Sequence, residues 1–180
     1  MVTIAEIKET IPLPDGITAS QTDAIISITG EKGTLTRTFS HPKITVAVEN
    51  NGIVVSCKNA RRKQKALVGT FVAHLNNMVK GVSEGFTYTM KTVYSHFPIK
   101  TMVDGNHFVI ENFLGERSPR KALILEGITV EVKGDDVSVT GIDKEKVGQT
   151  VANIERATTV RRRDIRVFQD GVYRTSKGGC

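Results

Sequence analysis

Apolar and polar residues alternate along much of this chain, and the alternation occurs twice in the same order. Ile44-Thr45-Val46-Ala47-Val48 leads through Glu49-Asn50-Asn51-Gly52 into Ile53-Val54-Val55-Ser56. At an offset of 84 residues, Ile128-Thr129-Val130-Glu131-Val132 leads through Lys133-Gly134-Asp135-Asp136 into Val137-Ser138-Val139-Thr140. β-branched runs of period two, joined by Asn, Asp and Gly, predict a hairpin in each copy. The period then lengthens. Val68-Gly69-Thr70-Phe71-Val72-Ala73-His74-Leu75 matches Val147-Gly148-Gln149-Thr150-Val151-Ala152-Asn153-Ile154, at an offset of 79. Both read as helices, with Leu67, Phe71, Leu75 and Met78 as one apolar stripe and Val147, Val151 and Ile154 as the other.

Earlier in each copy lies another candidate strand: residues 24–30 in the first, residues 108–115 in the second. Each is followed by a partly basic loop containing Gly or Pro, Glu31-Lys32-Gly33 and Glu116-Arg117-Ser118-Pro119-Arg120. Strict alternation also marks Phe86–Tyr94 as a strand, which opens into a loop at Ser95-His96-Phe97-Pro98. Turn residues around Lys80–Gly85 separate the first helix from that strand. The expected fold is α+β: two tandem, duplicated small units, residues 1–82 and 83–180, each an antiparallel sheet packed with one helix.

Charge separates the two copies. The net charge of +6 is concentrated: residues 1–82 carry +4, residues 83–155 carry −3 and residues 156–180 carry +5. The offsets of 84 and 79 leave five more residues between hairpin and helix in the first copy. That connector, Lys58–Lys65, holds five cations and no acid, whereas Asp143-Lys144-Glu145-Lys146 is charge-balanced. Shared residues are then scaffold, and the unshared basic run is either a nucleic-acid contact or a solvated face. Two cysteines, Cys57 and Cys180, make neither a disulfide framework nor a metal motif. No apolar run suits a bilayer and no secretory signal pattern opens the chain, so a cytoplasmic location is expected and a membrane partner is not.

The densest charge falls in Arg161-Arg162-Arg163-Asp164-Ile165-Arg166, ahead of Val167-Phe168-Gln169-Asp170-Gly171-Val172-Tyr173. Ile165, Phe168 and Val172 stand at i, i+3 and i+7, and are expected to anchor the segment while the guanidinium groups project outward. Planar forks of N–H donors match phosphate oxygens, so the expected partner is a phosphate backbone. Asp164 and Asp170 are expected to orient neighbouring arginines or to cap a turn.

These residues resemble a known family. The tandem α+β units, Lys80-Gly81-Val82-Ser83-Glu84-Gly85-Phe86, Tyr94-Ser95-His96-Phe97-Pro98-Ile99 and the segment Arg163–Tyr173 are similar to the L-six family of large-subunit ribosomal proteins, in its archaeal and eukaryotic branch. Bacterial members end in a Lys/Gly-rich stretch after a Pro-Tyr pair, which this chain does not have, and the lack of a eukaryote-type extension favours an archaeon. Gln169 stands where the family more often has a small apolar residue. The resemblance implies a non-enzymatic protein that binds large-subunit ribosomal RNA near the sarcin–ricin region and the base of the stalk. Neighbouring ribosomal proteins and translational GTPases would lie nearby, with no cofactor, metal or small-molecule substrate. The expected RNA contacts are Arg161, Arg162, Arg163, Arg166, Arg174 and Lys177. Tyr173 either stacks on a base or donates to a phosphate, or else packs against Phe168. Arg117 and Arg120 of the second loop, and Arg61, Arg62, Lys63 and Lys65 of the basic run, complete the candidate set.

Two other classes compete. An enzyme would need a site, but His41, His74, His96 and His107 are scattered and none stands in a zinc, triad or phosphate-loop motif. Asp104 with His107 is the nearest approach to a catalytic pair. A protein-interaction module pairing strand edges is compatible with RNA binding, and differs from it in weaker salt dependence.

Overall fold

The computed structural model describes residues 4–49 and 52–178, with side chains from Glu6 onward. Asn50 and Asn51 of the first predicted turn, and Cys180, lie outside the described residues. The chain divides into two compact units, one ending at Glu84 and the other beginning at Gly85.

The first unit contains β1 (Ile4–Pro12), β2 (Thr18–Thr22), β3 (Ile25–Gly30), β4 (Gly33–Thr38), β5 (Thr45–Glu49), β6 (Gly52–Ala60) and α1 (Arg62–Ser83). The second contains β7 (Phe86–Val93), β8 (Lys100–Asp104), β9 (His107–Glu111), β10 (Arg120–Leu123), β11 (Ile128–Lys133), β12 (Asp136–Gly141), α2 (Lys144–Ala157) and β13 (Gly171–Lys177). The α+β class is as expected, and the strands of each unit divide into two antiparallel sheets. Their orders are β1-β6-β5 with β2-β3-β4, and β11-β12-β7-β13 with β10-β9-β8. The predicted repeat of strand, hairpin and helix extends further than expected, since β1 also matches β7 and β2 and β4 match β8 and β10. Among the strands of the described residues, β13 alone has no counterpart in the first unit: it pairs with the edge of β7 that faces away from β12.

Both hairpins form in the register that the alternation demands. Val46 faces Val55 and Val48 faces Ile53 in the first. Val130 faces Val139 and Val132 faces Val137 in the second. Their inward residues meet the helix: Ile53, Val55, Leu75 and Val82 are fully buried in the first unit, and Val139, Val147, Val151 and Ile154 in the second. Each such side chain contributes roughly 1.5–3 kcal/mol relative to exposure. Gly141 is required at the second junction, because a Cβ there would meet Ile128 Cδ1 at 2.4 Å and Val147 Cγ2 at 3.0 Å.

Two expectations are corrected. The stripe of α1 begins at Val68, which is 2% exposed, and not at Leu67, which is 37% exposed. Phe71 lies partly buried, edge-on to Phe39 at 5.2 Å between ring centroids. Nor is Lys58–Lys65 a connector. Lys58, Asn59 and Ala60 end β6, only Arg61 stands between strand and helix, and Lys63 and Lys65 lie in α1. β6 runs on because β1 pairs with it as far as Ile4 opposite Ala60, whereas β12 stops at Gly141 opposite Phe86, the first residue of β7.

Candidate nucleic-acid interface

The last turn of α2 sets the arginine segment in place. Thr158 is buried; its hydroxyl donates to Glu155 O and accepts from Val172 N at 3.2 Å. Glu155 in turn accepts from Arg174 N at 3.1 Å, so helix end and β13 hold each other. The chain between them is a series of turns. Arg162 sits in the left-handed region at φ 59°, and the amides of Val167 and Phe168 both donate to Asp164 O.

Asp164 does what was expected of it. Its carboxylate accepts from Arg166 N, Nε and Nη2 at 2.9, 3.1 and 2.9 Å. Those bonds hold its pKa below the usual aspartate value, the side-chain bond being the largest cause. They also hold the Arg166 guanidinium as a fixed fork with Nη1 still free of Asp164. Gln169 donates from Nε2 to Arg166 O at 3.2 Å and is exposed, so an apolar side chain is not required there.

Asp170 orients no arginine. It is 1% exposed and accepts from the amide and hydroxyl of Ser95 at 3.3 and 3.1 Å, and from the amide and Nδ1 of His96 at 3.3 and 3.1 Å. Burial pushes this carboxyl upward, but the hydrogen bonds from His96 and Ser95 outweigh it and leave the pKa below the ordinary aspartate value. The clamp fastens the loop after β7 to the start of β13. Above it the rings of His96 and Phe168 lie 4.5 Å apart, and the Arg163 guanidinium lies 4.8 Å from the Phe168 centroid.

The anchors differ from the periodic expectation. Val172 is fully buried and Phe168 half-buried, but Ile165 is 69% exposed. Spacing of i, i+3 and i+7 places residues on one side only in a helix, and the bonds to Asp164 and Asp170 impose turns instead. Arg161, Arg162, Arg163, Arg166, Arg174 and Lys177 are all exposed. Tyr173 is 47% exposed and donates to Gln169 O at 2.9 Å, with its ring against Gly171.

Arg120 stands apart from the other candidates. Its Nη1 donates to Ala157 O and Thr159 O at 2.8 and 2.9 Å, and its Nε and Nη2 form a fork onto Glu116 at 2.8 and 2.6 Å. Its guanidinium also lies 4.2 Å over the Phe113 ring. Arg120 thus draws its loop, with exposed Arg117, against the start of the arginine segment. Glu116 has a lowered pKa, chiefly through the hydrogen bond from Arg120, with the charge of Arg163 contributing as well.

On the first unit, Arg61, Arg62, Lys63 and Lys65 are exposed at the start of α1, whose first turn holds no acid. At the matching start of α2, Asp143 accepts from Glu145 N at 2.9 Å. The Asp104–His107 pair is the exposed closing pair of the β8–β9 hairpin. His74 lies 3.4 Å from Arg37 Nη2, in keeping with a structural role. Sequence reasoning missed the Ser95–His96–Asp170 clamp: the Asp170-Gly171 pair signals a turn, and nothing local reveals a partner some 75 residues away.

Comparison with known proteins points one way. Residues 13–85 and 97–171 match the family described as Ribosomal protein L6. The chain is similar to the large ribosomal subunit protein uL6 of Methanosarcina mazei, 47% identical over 174 residues that cover 97% of this chain and 99% of that protein. The uL6 of Methanosphaera stadtmanae is 48% identical over 178 residues, 98% and 97% of the two chains. That of Aeropyrum pernix is 47% identical over 168 residues, 93% and 92%.

Proposed function

The chain belongs to the ribosomal protein L6 family, in its archaeal branch, and from that premise we propose that the arginine turn Arg161–Arg166 anchors it on large-subunit ribosomal RNA. The protein is a structural, non-enzymatic component of the large ribosomal subunit and works in the cytoplasm. The RNA it grips lies near the sarcin–ricin region at the base of the stalk, with other ribosomal proteins as neighbours and translational GTPases acting close by.

One observation carries this reading. Between Ala157 and Gln169 the only acid is Asp164, and its carboxylate orients Arg166 while Arg161, Arg162, Arg163 and Arg166 remain exposed. Guanidinium groups carried on a backbone held in short turns lose less freedom on binding than groups on a loose tail. Folded RNA presents its backbone and 2′-hydroxyls more openly than its base edges in the deep groove, so a cationic surface of fixed shape suits it. Arg174, Lys177 and Arg117 extend the surface, and Tyr173 offers an exposed ring. Arg120 serves it from behind, as a positioning residue. Arg61, Arg62, Lys63 and Lys65 supply a separate contact on the first unit.

The test is binding to a large-subunit RNA fragment containing the sarcin–ricin region across a salt series. Six phosphate contacts give a log–log slope of about −4 to −5. The combined variant Arg161→Ala, Arg162→Ala, Arg163→Ala, Arg166→Ala is expected to flatten that slope by about 3. An unchanged slope and affinity would refute the anchoring role.

A further inference from the structure

The duplicated fold provides an internal control, since the same scaffold appears with and without a cationic site. In the first unit a polar hollow of about 460 Å³ is lined by Pro42, Lys43, Thr45, Ser56, Lys58 and Asn59. Thr45 and Ser56 are cross-strand partners on β5 and β6, as Thr129 and Thr140 are on β11 and β12. The hydroxyl pair is thus retained in both copies. Around it everything differs. At the offset of 84, Pro42, Lys43, Lys58 and Asn59 correspond to Glu126, Gly127, Ile142 and Asp143. Two acids and no cation stand where the first unit has two lysines and an amide.

Two local features shape the rim of the hollow. Lys43 N donates to His41 Nδ1 at 3.2 Å, which fixes the turn leading into β5. Asn59 holds the left-handed conformation at φ 53°, one residue before β6 ends. Lys43 and Lys58 are exposed, and no ion pair engages either among the described residues, although Glu6 on β1 faces Lys58 in the register. Lys8, opposite Ser56, reaches Glu49 at 4.0 Å. Beyond Asn59 the cations continue with Arg61, Arg62, Lys63 and Lys65.

We propose that the Lys43–Thr45–Ser56–Lys58–Asn59 hollow on the first unit is a phosphodiester-binding site that holds a second stretch of RNA backbone. The site rests on the RNA-binding reading above, but on residues separate from the arginine turn. Two ammonium groups flanking a hydroxyl pair and a side-chain amide offer both charge and neutral donors to phosphate oxygens. A free phosphate would use the hollow alone. A polymer with charges at regular spacing also uses the four cations that follow, and this continuity favours RNA.

The experiment uses the full chain, large-subunit ribosomal RNA and hydroxyl-radical footprinting, with a salt series in parallel. Lys43→Ala/Lys58→Ala is expected to lose one protected tract and to flatten the salt slope by about 1.5–2. Lys43→Arg/Lys58→Arg is expected to keep both tract and slope. The four-arginine variant is expected to lose a different tract. If Lys43→Ala/Lys58→Ala leaves footprint and slope unchanged while the four-arginine variant loses its tract, the second site is refuted and the anchoring role survives. If the footprint is unchanged but binding to poly-aspartate is lost, the hollow serves an acidic protein and the proposal fails. If the four-arginine variant keeps its tract while Lys43→Ala/Lys58→Ala loses one, the hollow stands and the anchoring role falls. A wild-type chain that protects no RNA at low salt overturns both.

Discussion

Asp170 shows how much of the proposed RNA-binding surface depends on a buried residue. Its carboxylate is buried, accepts four hydrogen bonds and is held below its ordinary pKa. A carboxylate depressed in the folded state binds protons more readily when unfolded, so its contribution is complete above about pH 3.9 and is lost as the pH falls through the folded value. Asp170→Asn is expected to cost about 2–4 kcal/mol at pH 7. Denaturant titrations of both proteins from pH 7 down to pH 3 should show that gap closing on the acid side. Arg120 makes the complementary case. Lysine keeps its charge but not its two forks, so Arg120→Lys is expected to destabilise the protein by about 1–3 kcal/mol. Arg162→Ala, on an exposed side chain, is expected to reduce RNA affinity with a change in stability within about 0.5 kcal/mol. Thermal melts beside binding curves separate the two classes.

At the scale of elements, the period of the side chains foretold both hairpins and both helices, because each buries one face against the other. It failed where a partner elsewhere decides the outcome. Leu67 and Val68 compete for one stripe, and neighbouring positions differ by only about 100° around a helix; packing into the core of the first unit settles the choice for Val68. Leu75→Ala is therefore expected to cost about 2–5 kcal/mol and Leu67→Ala within about 0.5, measured by chemical denaturation. Extension of β6 through Ala60 follows from the length of β1, which no local pattern around Lys58 discloses. The arginines of the candidate site were legible as charge. Their supports were not, since Ser95, His96 and Glu116 reach the segment only through the folded chain, and the exposed Ile165 passes for an anchor in any reading that assumes a helix there.

Across the whole molecule, two copies of one scaffold differ in what was added to each: cations beside the first hairpin, and β13 with its arginine turn in the second. β13 covers the edge of β7 and carries the fully buried Val172. A chain stopped after Asp170 is expected to lose hydrogen-exchange protection along β7, while the amides of β5 and β6 keep theirs. The pairing of β13 with β7 also sets an order of events during synthesis. All the strands and the helix of the first unit leave the translating ribosome as one continuous stretch, and that unit can complete itself at once. β7 emerges early in the second unit, yet it waits for a strand made roughly eighty residues later, so the arginine turn between α2 and β13 takes its shape only when translation of the sheet is finished. The proposed arginine anchor is therefore the last part of the chain to form, whereas the cations of the first unit stand in place as soon as that unit folds.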